Sequence, residues 1–226
     1  MNNTEPEEGC PDGELLCMPS WEFFEFKKAR VIVTIPANYD SLYRVACVGR
    51  EKAWIRGDDY TITLVDIHGS VQNGIVVCDS WAPDISVTKH GKLAFSDRGT
   101  VNLFRRGRIE TSVTAPEGWE PRGICCTKSR DILVNLNNGI RNKIVRYQGQ
   151  TVIQEIDRDE HGNPIFPKKD YMLYLIENRN GDICVSNNKA RAVVVLDATG
   201  RVRFRYKGNV AARTRPFGPR CIVMIH

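Results

Sequence analysis

From Val31 onward the chain alternates short apolar runs with turn residues. The runs VIVTI, YRVACVG, KAWIRG, TITLVDI, GIVVC, DISVT, KLAFSD, TVNLF and RIETSVT are separated by Gly, Asn, Asp or Pro. Each run reads as a strand, because β-branched residues fit a pleated surface and the bounding residues favour turns. No apolar pattern of helical period and credible length intervenes. Many short strands between turn signals predict a sandwich, a barrel or a propeller.

Internal repetition narrows the choice. The segments Pro83–Val113, Pro121–Ile156 and Tyr174–Tyr206 each read as strand, polar turn, second strand, Asx-rich loop, third strand, Gly turn and fourth strand, and Leu42–Val77 is a looser copy. The turn before the second strand falls near Glu51, Gly91, Arg130 and Gly181, in steps of 40, 39 and 51 residues. A four-stranded propeller blade needs about 40–45 residues. The long step is attributed to an insertion, Arg158–Lys169, whose Gly and Pro content suits a surface loop. A fifth copy begins at Phe217–Ile225. The expectation is an all-β propeller of about four four-stranded blades plus one strand.

Blades stack through apolar residues that alternate along their strands. Ile85, Val87, Leu93, Phe95, Val101, Leu103, Ile124, Ile132, Val134, Val145, Ile183, Val185, Val193 and Val195 are the expected contacts. In RVRFRYKG, an expected outer strand, Arg201, Arg203, Arg205 and Lys207 alternate with Val202, Phe204 and Tyr206. Charge of this kind protects an edge strand from unwanted pairing.

Composition adds a division of charge. The 226 residues are 42% hydrophobic and 26% charged, an ordinary globular balance. Residues 1–30 hold seven acidic and three basic side chains, a net of −4, and read as a flexible acidic leader. The body, residues 31–226, then carries +9 of the total +5, which is compatible with an anionic partner. No run of 18 apolar residues and no basic-then-apolar leader occurs, so no membrane span, no secretory signal and a cytoplasmic location are expected. Most of the eight cysteines lie within apolar runs, where a free thiol acts as a small hydrophobe. No zinc-type spacing or other metal-ligand set is recognised, and no cofactor is expected.

No catalytic grouping emerges. His68, His90 and His161 each precede Gly in a turn, and no nucleophile elbow, P-loop or H-E-x-x-H occurs. A non-catalytic binding module is therefore expected. In propellers, the loops between second and third strands and the joins between blades form the binding face. Here those loops carry Asp58, Asp59 and Tyr60; Asp97 and Arg98; Arg141, Asn142 and Lys143; Asn188, Lys189 and Arg191. The joins add Trp81, Trp119, Arg122, Phe217 and Arg220. Arg98, Trp119, Arg122, Arg141, Lys143, Lys189, Arg191 and Arg220 are the candidate binding residues, suited to phosphates, stacked bases or acidic peptides. The tryptophans equally suit a wedge between blades.

The repeat text resembles a known family. Pro121-Arg122-Gly123-Ile124, Gly181-Asp182-Ile183-Cys184-Val185-Ser186-Asn187 and Asp197-Ala198-Thr199-Gly200 are similar to the NHL repeat. The stretch from Glu177 to Tyr206 looks like the propellers of tripartite-motif (TRIM-NHL) proteins, in the expanded set of bivalve molluscs. The resemblance implies a partial ring, since the family's propeller usually has six blades. It also implies a substrate- or RNA-recognition role, with a protein or structured RNA as partner. No RING finger is present, so the family's ubiquitin-ligase activity does not carry over. Other six-bladed propellers are lactonases or related hydrolases, which keeps an enzyme as the remaining alternative.

Overall fold

The computed structural model describes residues 34–35, 39–77, 84–166, 168, 172–208 and 218–219. The leader, most of the VIVTI strand, Trp81, Phe217, Arg220 and the fifth repeat strand lie outside them.

Among the described residues sixteen strands form four sheets. Blade 1 comprises β1 (Leu42–Val48), β2 (Lys52–Gly57), β3 (Thr61–Asp66) and β4 (Val71–Val76). Blade 2 comprises β5 (Ile85–Val87), β6 (Leu93–Ser96), β7 (Thr100–Arg105) and β8 (Arg108–Thr114). Blade 3 holds β9 (Glu120–Cys126), β10 (Ile132–Asn137), β11 (Asn142–Gln148) and β12 (Thr151–Ile156). Blade 4 holds β13 (Tyr174–Glu177), β14 (Ile183–Asn187), β15 (Ala192–Leu196) and β16 (Val202–Tyr206). Every sheet is an antiparallel meander in chain order. The first strands are neighbours in sequence order, β1 beside β5, β5 beside β9 and β9 beside β13. This is a β-propeller of four four-stranded blades, as the repeat phase predicts.

One type of turn recurs. At Asp66, Thr88, Thr127, Asp159, Asn178 and Asp197, a side-chain oxygen accepts the backbone N–H four residues on. The residue three places on lies in the left-handed region: Gly69, Gly91, Gly162, Gly181 and Gly200, but Arg130 in blade 3 with φ 75°. Only glycine reaches that region without a Cβ penalty. His68, His90 and His161 occupy exposed positions within three of these turns.

Three apolar clusters correspond to the three successive blade interfaces. Trp54, Ile62 and Ile75 meet Leu93 and Phe95 between blades 1 and 2. Val101, Leu103 and Val113 meet Val134, Leu136 and Val145 between blades 2 and 3. Leu133 and Ile144 meet Val185, Val194 and Leu196 between blades 3 and 4. Burial of apolar area at about 25 cal/mol per Å² makes such stacking the dominant stabilising term. Inner blades are covered on both faces, so β10 is buried at every position. Leu133, Ile144 and Val194, missing from the expected contacts, are therefore fully buried, whereas Val87 and Val193 are only half-buried.

One expectation needs correction. The insertion after blade 3 is not purely a surface loop. Its tip turns at Asp159, but its return places Ile165 and Phe166 in the core shared by blades 3 and 4. On β16, Val202 packs against the core of blades 3 and 4, whereas Phe204 and Tyr206 are about half exposed. On the other side Arg203 Nε donates to Asp182 Oδ1 at 2.9 Å and Arg205 Nη1 to the Ile165 carbonyl at 3.2 Å. Among the described residues the outermost strand pairs with β15 alone.

Candidate functional site

An antiparallel meander fixes which loops share an edge. The second and fourth strands of a blade run the same way, so the second-to-third loop and the join to the next blade emerge together. One edge thus carries the loops Asp58–Tyr60, Asp97–Gly99, Asn138–Arg141 and Asn188–Arg191, with the joins between blades.

Charge along this edge is uneven. The blade 1 loop is acidic, with Asp59 Oδ1 accepting from Thr61 N at 2.8 Å. Blade 2 offers Asp97 and Arg98, one of each sign. Blades 3 and 4 supply Arg141, Lys189 and Arg191. Most of the loop cations of this edge thus lie on blades 3 and 4.

The candidate residues separate accordingly. Arg98, Arg141, Lys189 and Arg191 are exposed on their loops. Arg122 lies on β9, half-buried, with Nη2 2.9 Å from Glu120 Oε2, and its carbonyl accepts from Ser96 Oγ. Lys143 sits on β11 rather than in the loop, pairs with Glu155 at 3.0 Å and lies 4.6 Å from the centroid of the Trp119 ring. Trp119 is half-buried against the core of blades 2 and 3, so it serves as the inter-blade wedge. Asn142 also opens β11 and is buried, its Oδ1 accepting from Asn135 and Asn137. Arg220 lies outside the described residues.

The structure adds residues that sequence did not select. A cavity of about 290 Å³ lies between the blade 3 loop and the insertion, lined by Arg141, Asn142, Asp157, Arg158, Pro164, Phe166 and Lys168. Arg158, Phe166 and Lys168 belong to the segment read as a loop, and Asp157 immediately precedes it. Their one sequence signal is the Ile165-Phe166 pair, too apolar for a solvated loop.

A second polar cluster ties the first strands together. Arg44 Nε on β1 donates to Asp84 Oδ1 at 3.1 Å, and Asp84 Oδ2 accepts from Ile124 N on β9 at 2.9 Å. Arg44 Nη2 also donates to Tyr174 Oη on β13 at 2.7 Å. One guanidinium thereby joins blade 1 to blades 2 and 4. Burial raises the Asp84 carboxyl to about 6, although Arg44 and the Ile124 amide oppose it. Burial likewise pushes the Cys125 thiol up to about 12 and Cys126 to about 11, leaving both as inert apolar groups. Among the described residues no cluster of three metal-ligating side chains occurs, and no helix is long and apolar enough to cross a membrane.

No protein-family model matches the chain, and no curated protein sequence is similar to it. Solved structures are. Virginiamycin B lyase from Staphylococcus aureus shares 14% identity at a TM-score of 0.57, covering 75% of this chain and 56% of that one. A streptogramin B lyase shares 14% at 0.59, covering 79% and 58%. The Dos1 propeller shares 12% at 0.52, covering 73% and 46%. The chain spans less than two thirds of the length of each. At such identities the likeness is one of backbone, and the chain is a β-propeller.

Proposed function

We propose that this chain is a non-catalytic binding module whose loop face, on blades 3 and 4, takes structured RNA. The observation that carries it is that Arg141, Lys168, Lys189 and Arg191 are exposed on the loops and insertion of blades 3 and 4, whereas the blade 1 loop is acidic. Phosphates supply the counter-charge, and a one-sided field orients the encounter. The resemblance of Pro121-Arg122-Gly123-Ile124 and Gly181–Asn187 to NHL repeats supports a recognition role like that of tripartite-motif propellers, presenting bound RNA or protein within a larger assembly.

Fluorescence anisotropy of a labelled RNA hairpin tests it. Four cations on phosphates give log K a slope of about −3 to −3.5 against log salt. Lys189→Ala with Arg191→Ala should weaken binding about tenfold and flatten that slope by about 1–2. Salt-independent affinity, or an unchanged double variant, would sink the basic face and leave an acidic protein surface as the partner. The backbone likeness to two lyases favours one second reading, an enzyme. Incubation with a streptogramin B antibiotic is expected to leave it intact; turnover would replace the binding role.

A further inference from the structure

The cavity beside the blade 3 loop has a charge that can be counted. Three cations, Arg141, Arg158 and Lys168, face one carboxylate, Asp157. Arg158 Nε lies 3.7 Å from Asp157 Oδ2, and its Nη1 donates to the Gly162 carbonyl at 2.6 Å, so this pair largely cancels. Arg141 and Lys168 have no carboxylate partner among the described residues, which leaves a net of +2.

The walls are held in place before any ligand arrives. On one side the Nδ2 groups of Asn135 and Asn137 donate to Asn142 Oδ1 at 3.2 and 3.0 Å, fixing that amide beside Arg141. On the other, Phe166 is anchored in the core, and a single antiparallel bridge, Arg158 to Pro164, is closed by the Asp159 turn. A preformed site loses little conformational freedom on binding.

Charge and size point to one ligand chemistry. A phosphate monoester carries about −1.5 to −2 at neutral pH, matching +2 better than a singly charged carboxylate or diester. A guanidinium fork engages two phosphate oxygens at once. About 290 Å³ lies near the lower end of small-ligand sites, roughly 300–1,000 Å³, which leaves room for a body attached to the phosphate. Pro164 and Phe166 offer that body apolar contact.

We propose that this cavity binds a phosphate monoester carried on a nucleoside, either the terminal phosphate of an RNA chain or a free mononucleotide. The choice of a nucleoside over another body rests on the loop-face reading above.

Calorimetric titration of the full chain tests it, with AMP, adenosine, inorganic phosphate and phosphoserine as probes. AMP should saturate one site, with adenosine at least tenfold weaker. Arg141→Ala with Lys168→Ala should weaken AMP at least tenfold at unchanged thermal midpoint, and Arg141→Lys with Lys168→Arg should retain most of it. Equal binding of adenosine and AMP, or an unaffected double alanine variant, overturns the phosphate site. Inorganic phosphate or phosphoserine binding as tightly as AMP overturns the nucleoside. A tenfold preference for a 5′-phosphorylated over a 5′-hydroxyl tetranucleotide supports the RNA end as source, and no preference supports the free nucleotide. In the parent chain, absence of hairpin binding with AMP bound sinks the loop-face reading alone; absence of AMP binding with the hairpin bound sinks the cavity alone.

Discussion

Single side chains in this propeller are judged by the backbone they must accommodate. Arg130 holds φ 75° in a turn position that glycine fills in the five sister turns. Arg130→Gly should therefore raise stability by about 0.5–1 kcal/mol in urea unfolding, the relief of the left-handed strain exceeding glycine's entropic cost. Gly123 is the reverse case, since a Cβ there would collide with the Leu173 carbonyl, a backbone group that no side-chain rotation moves aside. Gly123→Ala should lower stability by about 2–3 kcal/mol, the ordinary range for overpacking. Asp84 carries a pH signature. Its folded value, about 6, lies above the ordinary 3.8, so the folded state binds more protons between those values. Stability should fall as pH rises from about 4 to 6, and Asp84→Asn should flatten that slope, as urea unfolding at several pH values would register.

The turns act at the scale of the hairpin. Asp66, Asp159 and Asp197 have carboxyls held below the ordinary range. The Ser70 and Asn163 amides are the chief cause for the first two, and the Thr199 hydroxyl for the third. A depressed folded value means stabilisation that is complete above the unfolded value and lost as pH falls through the folded one. This is opposite in sense to Asp84, and it acts at more acid pH. Asp197→Ala leaves the Thr199 and Arg201 amides without their side-chain acceptor. The amides of β16 should then exchange with deuterium faster than in the parent, while those of β10 should not.

The whole molecule is a stack in which each interface depends on its neighbours. Phe166, carried by the insertion, is buried between blades 3 and 4. Phe166→Ala should cost about 3–5 kcal/mol. It should also speed proteolysis within the hairpin at 158–166, because that hairpin is held to the body by this side chain and Ile165. If cleavage is no faster, the insertion is clamped from elsewhere. The same insertion walls the candidate phosphate cavity, so AMP affinity should fall together with stability in this variant, unlike in Arg141→Ala with Lys168→Ala.

The blade plan was legible in the amino-acid sequence because it is local. A strand run of β-branched residues and a turn with Asp, Asn or Thr four residues ahead of its bonded amide depend only on near neighbours. The landmarks Glu51, Gly91, Arg130 and Gly181 accordingly fall in or beside the first turn of each blade. What alternation could not tell was which faces are covered. Leu133 is buried because blade 4 stacks on β10's second face, and Phe204 is exposed because nothing among the described residues covers β16 there. The binding edge divided in the same way. Its loops follow from strand order, but the pairing of Lys143 with Glu155, of Arg122 with Glu120, and the meeting of Arg141 with Arg158 and Lys168 join separate turns and strands. Charge cancellation depends on distance in space, so only the tertiary structure decided which of these cations remain available to a partner.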